Sequence, residues 1–180
     1  MKPIKGYHAV QASGNFEKLP AGGYVAKITG VEDRSRDEYL LLTYDIAEGD
    51  YKGHFKDTDE KLVSIHQFIR SYKESALGMF KAFTMAVDES NGTKLTEQVE
   101  DGLQEQQLVG KLVGILLGEE EYMSNRGELR TGLKVRACMS ADRIRKGGFK
   151  VPELKKLPQD QARPAIPAGF TEIKDDDLPF

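Results

Sequence analysis

Gly110-Lys111-Leu112-Val113-Gly114-Ile115-Leu116-Leu117-Gly118 is a continuous apolar run bounded by glycines. Its length is that of a strand rather than a membrane span, which needs about 18–20 apolar residues, and a run without alternation reads as a central strand covered on both faces. Glu119 to Tyr122 carries the strand outward, and Ser124-Asn125-Arg126-Gly127 forms a hairpin turn. Glu128 to Met139 then alternates, with Leu129, Leu133, Val135 and Ala137 pointing in and Arg130, Lys134 and Arg136 pointing out.

Upstream, Leu19-Pro20-Ala21-Gly22-Gly23 is a turn that launches a first strand, Tyr24 to Val31. Gly30 within it suggests a bulge. The polar loop Glu32 to Asp37 leads to a second strand, Glu38 to Ala47, with Leu40, Leu42, Tyr44 and Ile46 on one face. A third strand is expected over Leu62 to Tyr72. Val63, Ile65, Gln67 and Ile69 share one of its faces, and His66, Phe68, Arg70 and Tyr72 share the other, which reads either as an outward stacking platform or as Phe68 in the core with Arg70 and Tyr72 facing solvent. A helix follows at about 74–87, with Leu77, Phe80, Phe83 and Val87 as its apolar stripe and Asn91-Gly92 as its stop. A second, acidic helix is expected from Thr96, its N-cap, to Gln107.

Strands, then helix, then two more strands around one core is the order of an OB-fold, a five-stranded Greek-key barrel whose outer face and loops bind oligonucleotides. The expected fold is therefore mainly β with helices, the principal helix lying between strands 3 and 4. Three segments are expected: an N-terminal arm over 1–19, the barrel over 20–150, and a tail over 151–180. Five of the seven prolines fall in that last segment and apolar periodicity ends, so it is read as a disordered tether.

Composition narrows the function. The chain has 180 residues, 39% hydrophobic and 31% charged, with a net charge of −3 that argues against nucleic-acid binding by bulk charge. The charge is segregated. Between Arg126 and Lys150 eight cations face only Glu128 and Asp142, a local surplus of six. The single Cys138 rules out an internal disulfide framework and fits a reducing cytosol. The N-terminus lacks the apolar core of a signal peptide, so a bacterial cytoplasmic location is expected. His8, His54 and His66 fit no metal-ligand spacing, and the glycine-rich segments fit no nucleotide fingerprint. No catalytic residue, metal or cofactor is expected.

Candidate phosphate contacts are Arg34, Arg36, Arg70, Arg126, Arg130, Lys134 and Arg136; candidate base-stacking residues are Tyr39, Phe68 and Tyr72. Cations neutralise phosphates and release counterions, while aromatic rings stack on bases irrespective of sequence.

Two resemblances point the same way. The ending Asp175-Asp176-Asp177-Leu178-Pro179-Phe180 resembles the acidic tip of bacterial single-stranded-DNA-binding proteins, where aspartates precede Ile/Leu-Pro-Phe. An apolar pocket on a partner would take Phe180, and a basic rim would take the carboxylates. The phrases Leu19-Pro20-Ala21-Gly22-Gly23-Tyr24, Tyr72-Lys73-Glu74-Ser75, Gly110-Lys111-Leu112-Val113-Gly114 and Val151-Pro152-Glu153 resemble a family of phage- and prophage-encoded single-stranded-DNA-binding proteins of Gram-positive bacteria. That resemblance implies an OB-fold that coats and protects single-stranded DNA. The tip would recruit host or phage replication, recombination and repair proteins. Homo-oligomerisation is compatible with this reading. The competing reading is an interaction adaptor that recruits such proteins without binding DNA.

Overall fold

The computed structural model of the chain describes residues 19–56, 58 and 65–158. Five strands form one antiparallel sheet: β1 (Gly22–Arg34), β2 (Tyr39–Ile46), β3 (Gln67–Ser71), β4 (Leu112–Met123) and β5 (Leu129–Met139). Their spatial order is β3-β2-β1-β4-β5. Three strands meander and the fourth returns beside the first, which is the Greek key. Helix α1 (Leu77–Asn91) lies between β3 and β4. This is an OB-like fold, as the sequence order implied.

The second strand carries the clearest alternation. Leu40, Leu42, Tyr44 and Ile46 are buried, and Tyr39, Leu41, Thr43 and Asp45 lie on the other face. On β1, Ala26 and Ile28 enter the same core while Lys27 and Thr29 are exposed. Ile28 pairs with Tyr44 and Gly30 with Thr43, so Thr29 has no partner. This is the bulge expected at Gly30, and it bends β1 so that its first half can pair with β4 and its second half with β2.

On β4, Val113, Ile115 and Leu117 face the main core. The opposite face is also covered, by α3 (Ala141–Arg145) and Phe149, which explains why the strand is apolar without alternation. A Cβ placed on Gly114 would lie 2.6 Å from Ile144 Cγ1 and 2.8 Å from the Met139 and Ser140 carbonyl oxygens, so only glycine lets α3 sit so close.

Helix α1 buries Phe80, Phe83, Thr84, Ala86 and Val87 and ends at Gly92, whose φ of +65° is left-handed. Leu77, expected in the apolar stripe, is exposed. The acidic helix expected over 96–107 is instead broken into Leu95–Gln98, α2 (Val99–Gly102) and Glu105–Leu108. Gly102, at φ +95°, and the extended Leu103 interrupt it. Nor does Thr96 cap a helix with its side chain. The Asp88 carboxylate, from α1, accepts from the Leu95 and Thr96 amides and from the Thr93 and Thr96 hydroxyls at 2.6–2.8 Å.

The barrel's remaining edges, β3 and β5, face each other across a seam. Arg70 of β3 donates to the Cys138 Sγ of β5 at 2.8 Å, and its guanidinium lies 4.7 Å from the Phe68 ring and 6.0 Å from that of Phe83. A second bulge, at Leu116/Leu117 opposite Ala137 and Val135, shifts the parity of β5. Cys138 therefore packs against the core, where the strand's alternation alone would have put Ala137.

Residues 151–158, expected to begin the tether, belong to the body. Lys155 bridges Glu120 in parallel, its amide donating to the Glu119 carbonyl at 3.0 Å and its carbonyl accepting from the Glu121 amide at 2.9 Å. The segment takes the β4 positions that β1, whose pairing ends at Gly22–Leu117, leaves free.

Burial opposes ionisation of Asp88, but the hydrogen bonds from Thr96, Thr93 and Leu95 outweigh it and hold the carboxyl below its usual range. A depressed folded-state pKa stabilises above the unfolded value, and that stabilisation is lost as pH falls through the folded one. Asp88→Asn is expected to cost about 1–3 kcal/mol near neutral pH. Urea unfolding at about pH 7 and about pH 3 should show the gap between the two proteins closing in acid.

Candidate nucleic-acid interface

The elements that close the barrel also determine which sheet surfaces are left open. Helix α3 covers the outer side of β1 and β4 at Val25, Gly23 and Gly114, and α1 closes one end. Among the described residues, two surfaces carry neither α1 nor α3. One is the outer face of β2 and β3, and the other is the outer face of the β4–β5 arm, which continues past the end of β1.

Register defines the first surface. Tyr39 pairs with both Arg34 and Ser71, Leu41 with Glu32 and Ile69, and Thr43 with Gly30 and Gln67. Ile69 is 51% exposed, as is Ile65 just before the strand. The Gln67 amide donates to the Thr43 hydroxyl at 3.1 Å. Arg34 stands at one end, half-exposed and ion-paired with Glu32 at 3.0 Å, and Arg36 is exposed in the adjoining turn. The result is an apolar strip with a polar middle and a cationic end.

The alternation expected on β3 is present, but the row read as a stacking platform is the inner one. Phe68 is only 7% exposed and pairs with Leu42 in the core, so it is not a stacking residue. Arg70 pairs with the buried Leu40 and turns inward to the seam, where it is half-buried. Its first role is to close the barrel rather than to meet phosphate. Tyr72 packs edge-on against Phe80, with ring centroids 5.9 Å apart, and its hydroxyl donates to Asp33 Oδ1 at 2.8 Å. Desolvation, then the hydrogen bond to Asp33 and the nearby carboxylates, push its phenol up to about 12. The cause is the inner face of β2: its four buried side chains need cover from β3, and the bulk of Phe68 supplies it. Leu41, Gln67 and Ile69, not the Phe68 row, face outward beside Tyr39. Both β3 rows are apolar enough that periodicity alone does not choose between them.

The second surface carries the basic strand. Arg126 is exposed in the Ser124–Glu128 turn, and Arg130 is exposed and bonded to Glu128 at 2.7 Å. Lys134 is exposed, with no ion pair within 4 Å among the described residues. Arg136 reaches Glu120 at 3.4 Å, and Glu120 also accepts from Lys155 at 2.9 Å. The Lys155 hydrogen bond and the surrounding cations hold the Glu120 carboxyl below its usual range against a smaller desolvation effect. Arg136 is thus committed to an internal partner, and Lys134 is the free cation of the row. Tyr122, exposed on the same arm, reads in the sequence only as part of the strand's outward extension.

Arg70 and Cys138 join β3 to β5 on the inner side of the barrel, below the point where the β4–β5 arm begins. Among the described residues no three His, Cys, Asp or Glu side chains gather to hold a metal ion. His66 instead stacks on Phe55, with centroids 4.8 Å apart. No helix among the described residues is long and apolar enough to cross a membrane. The segment Asp175–Phe180 and the arm 1–18 lie outside the described residues.

By its fold this is an OB-like barrel protein with an open sheet face. The chain belongs to the family described as protein of unknown function (DUF669), which matches residues 6–128. The match takes in β1 to β4 and stops before β5. No curated protein matches the chain.

Burial pushes the Cys138 thiol up, more strongly than the Arg70 charge lowers it. A thiol reagent is therefore expected to modify the native protein slowly. Arg70→Ala, by opening the seam, should speed modification by about tenfold or more, whereas Arg34→Ala should not.

Proposed function

We propose that this protein binds single-stranded DNA on the outer face of β2 and β3 and on the β4–β5 arm. One observation carries the reading: among the described residues, the sheet surfaces that neither α1 nor α3 covers bear an apolar and aromatic strip on β2 and β3 and a row of cations on the β4–β5 arm. Tyr39, Leu41 and Ile69 offer apolar contact to bases, which are accessible only when unpaired. Arg34, Arg36, Arg126, Arg130 and Lys134 offer charge to the backbone. The OB-fold commonly uses its β2–β3 face and the loops between strands 1 and 2 and strands 4 and 5 for oligonucleotides. Here those loops carry Arg36 and Arg126.

The resemblance to phage-encoded single-stranded-DNA-binding proteins supports the same reading. On it, Asp175–Phe180 recruits replication, recombination and repair proteins to the coated strand, in the cytoplasm of a bacterial cell. The net charge of −3 fits a protein that holds nucleic acid at a local surface rather than by overall attraction.

Fluorescence-anisotropy titration of labelled oligo-dT and of its duplex, at two salt concentrations, tests this. Tight binding to the single strand, weaker binding to the duplex and loss with salt are expected. Lys134→Ala should lower the slope of log affinity against log salt by about 0.7, one contact's share. Glu120→Gln should release Arg136, tighten binding and raise the slope by about as much. No binding to either oligonucleotide would overturn the reading in favour of an adaptor that recruits proteins without touching DNA.

A further inference from the structure

The β4–β5 arm carries an aromatic side chain that the fold does not require. Beyond Gly22–Leu117 the β1 pairing ends, and β4 and β5 run on as a ribbon from Gly118–Lys134 to Met123–Leu129. On one face of that ribbon stand Gly118 opposite Lys134, Glu120 opposite Gly132, and Tyr122 opposite Arg130. Tyr122 is 44% exposed and belongs to neither hydrophobic cluster. Among the described residues its hydroxyl makes no hydrogen bond.

Its immediate support is a glycine. A Cβ placed on Gly132 would lie 3.1 Å from Tyr122 Cε1, so the ring leans over bare backbone there. A ring with backbone beneath it and nearly half its surface in water presents its other side to solvent. Arg130 is its cross-strand partner, and Lys134 stands four residues back along β5, about 13 Å at the usual strand rise. The ring leans over Gly132, which lies between Arg130 and Lys134 on β5, so a base stacked on it would have backbone phosphates within reach of a long cationic side chain on either side.

We propose that Tyr122 is a base-stacking residue, and that bound single-stranded DNA runs out along the β4–β5 arm with its phosphates on Arg130 and Lys134. This rests on the reading given under Proposed function and extends it to a residue outside both hydrophobic clusters. The rival role is structural: an aromatic ring can simply cover a strand glycine. The two differ in what they ask of the ring. Cover needs only apolar bulk, whereas stacking needs a π-face.

The test uses the full chain and labelled oligo-dT, with circular dichroism and urea unfolding checking each variant. Tyr122→Ala is expected to weaken binding between about fivefold and a hundredfold. The slope against log salt should stay as in the wild type, because the ring carries no charge. Tyr122→Phe should bind as the wild type does. Tyr122→Leu keeps cover over Gly132 and guards against a folding defect in the alanine variant; it too should lose affinity. Full affinity in Tyr122→Leu, or in a folded Tyr122→Ala, overturns this assignment alone. Failure of the wild type to bind oligo-dT overturns it together with the reading on which it rests.

Discussion

The bend in β1 is the constraint from which the rest of the domain follows. One strand of thirteen residues serves two neighbours, pairing with β4 from Gly22 to Lys27 and with β2 from Ala26 to Arg34. A straight strand would hold both partners in one nearly flat sheet. The unpaired Thr29 lets β1 turn between them, and the Ile28 carbonyl accepts from the Gly110 amide at 2.8 Å while the Ile28 amide donates to the Lys111 carbonyl at 2.9 Å, locking the turn in place. The inner side chains of all five strands then converge on Phe83, Val87 and Leu108, and β3 is brought round towards β5. At that last edge the backbone ladder is missing, and Arg70 bridges the gap to Cys138.

Closure also settles which surfaces face water. The glycines of β1 and β4 admit α3 so closely that this side of the barrel is sealed, while α1 occupies one end. Among the described residues, what α1 and α3 leave is the outer face of β2 and β3, with the β1–β2 turn at its end, and the β4–β5 arm. Its charges are unequal in availability. Arg136 and Lys155 divide the single charge of Glu120, Arg34 is paired with Glu32 and Arg130 with Glu128, and Lys134 has no such partner within the described structure. A count of cations along the sequence therefore overstates the field that a ligand meets.

Much of this was legible in the sequence, and the exceptions have physical causes. Strands β1, β2 and β4, the bulge at Gly30 and the end of α1 at Gly92 follow from alternation and glycine placement, which are local properties. The side that β3 presents is not local. His66, Phe68, Ile65 and Ile69 leave two plausible faces, and only the bulk needed over Leu42 and Tyr44 selects between them. Gly102 broke an otherwise helical spacing, and the Leu116/Leu117 bulge exchanged Ala137 for Cys138 on the inside. Proline content suggested a tether from Val151, yet edge pairing with β4 holds Lys155 to the body. Of the residues marked for DNA, those in turns and on β5 lie at the surface as expected, while Phe68, Arg70 and Tyr72 were drawn inward by the core and the seam.

Amide hydrogen exchange on the full chain, with and without saturating oligo-dT, tests the location of the site most directly. Slowed exchange over 34–43, 67–71 and 118–136, with α1 and α3 unchanged, is the predicted result. Protection confined to α1 or α3, or none anywhere at saturation, would contradict the assignment of this surface to single-stranded DNA.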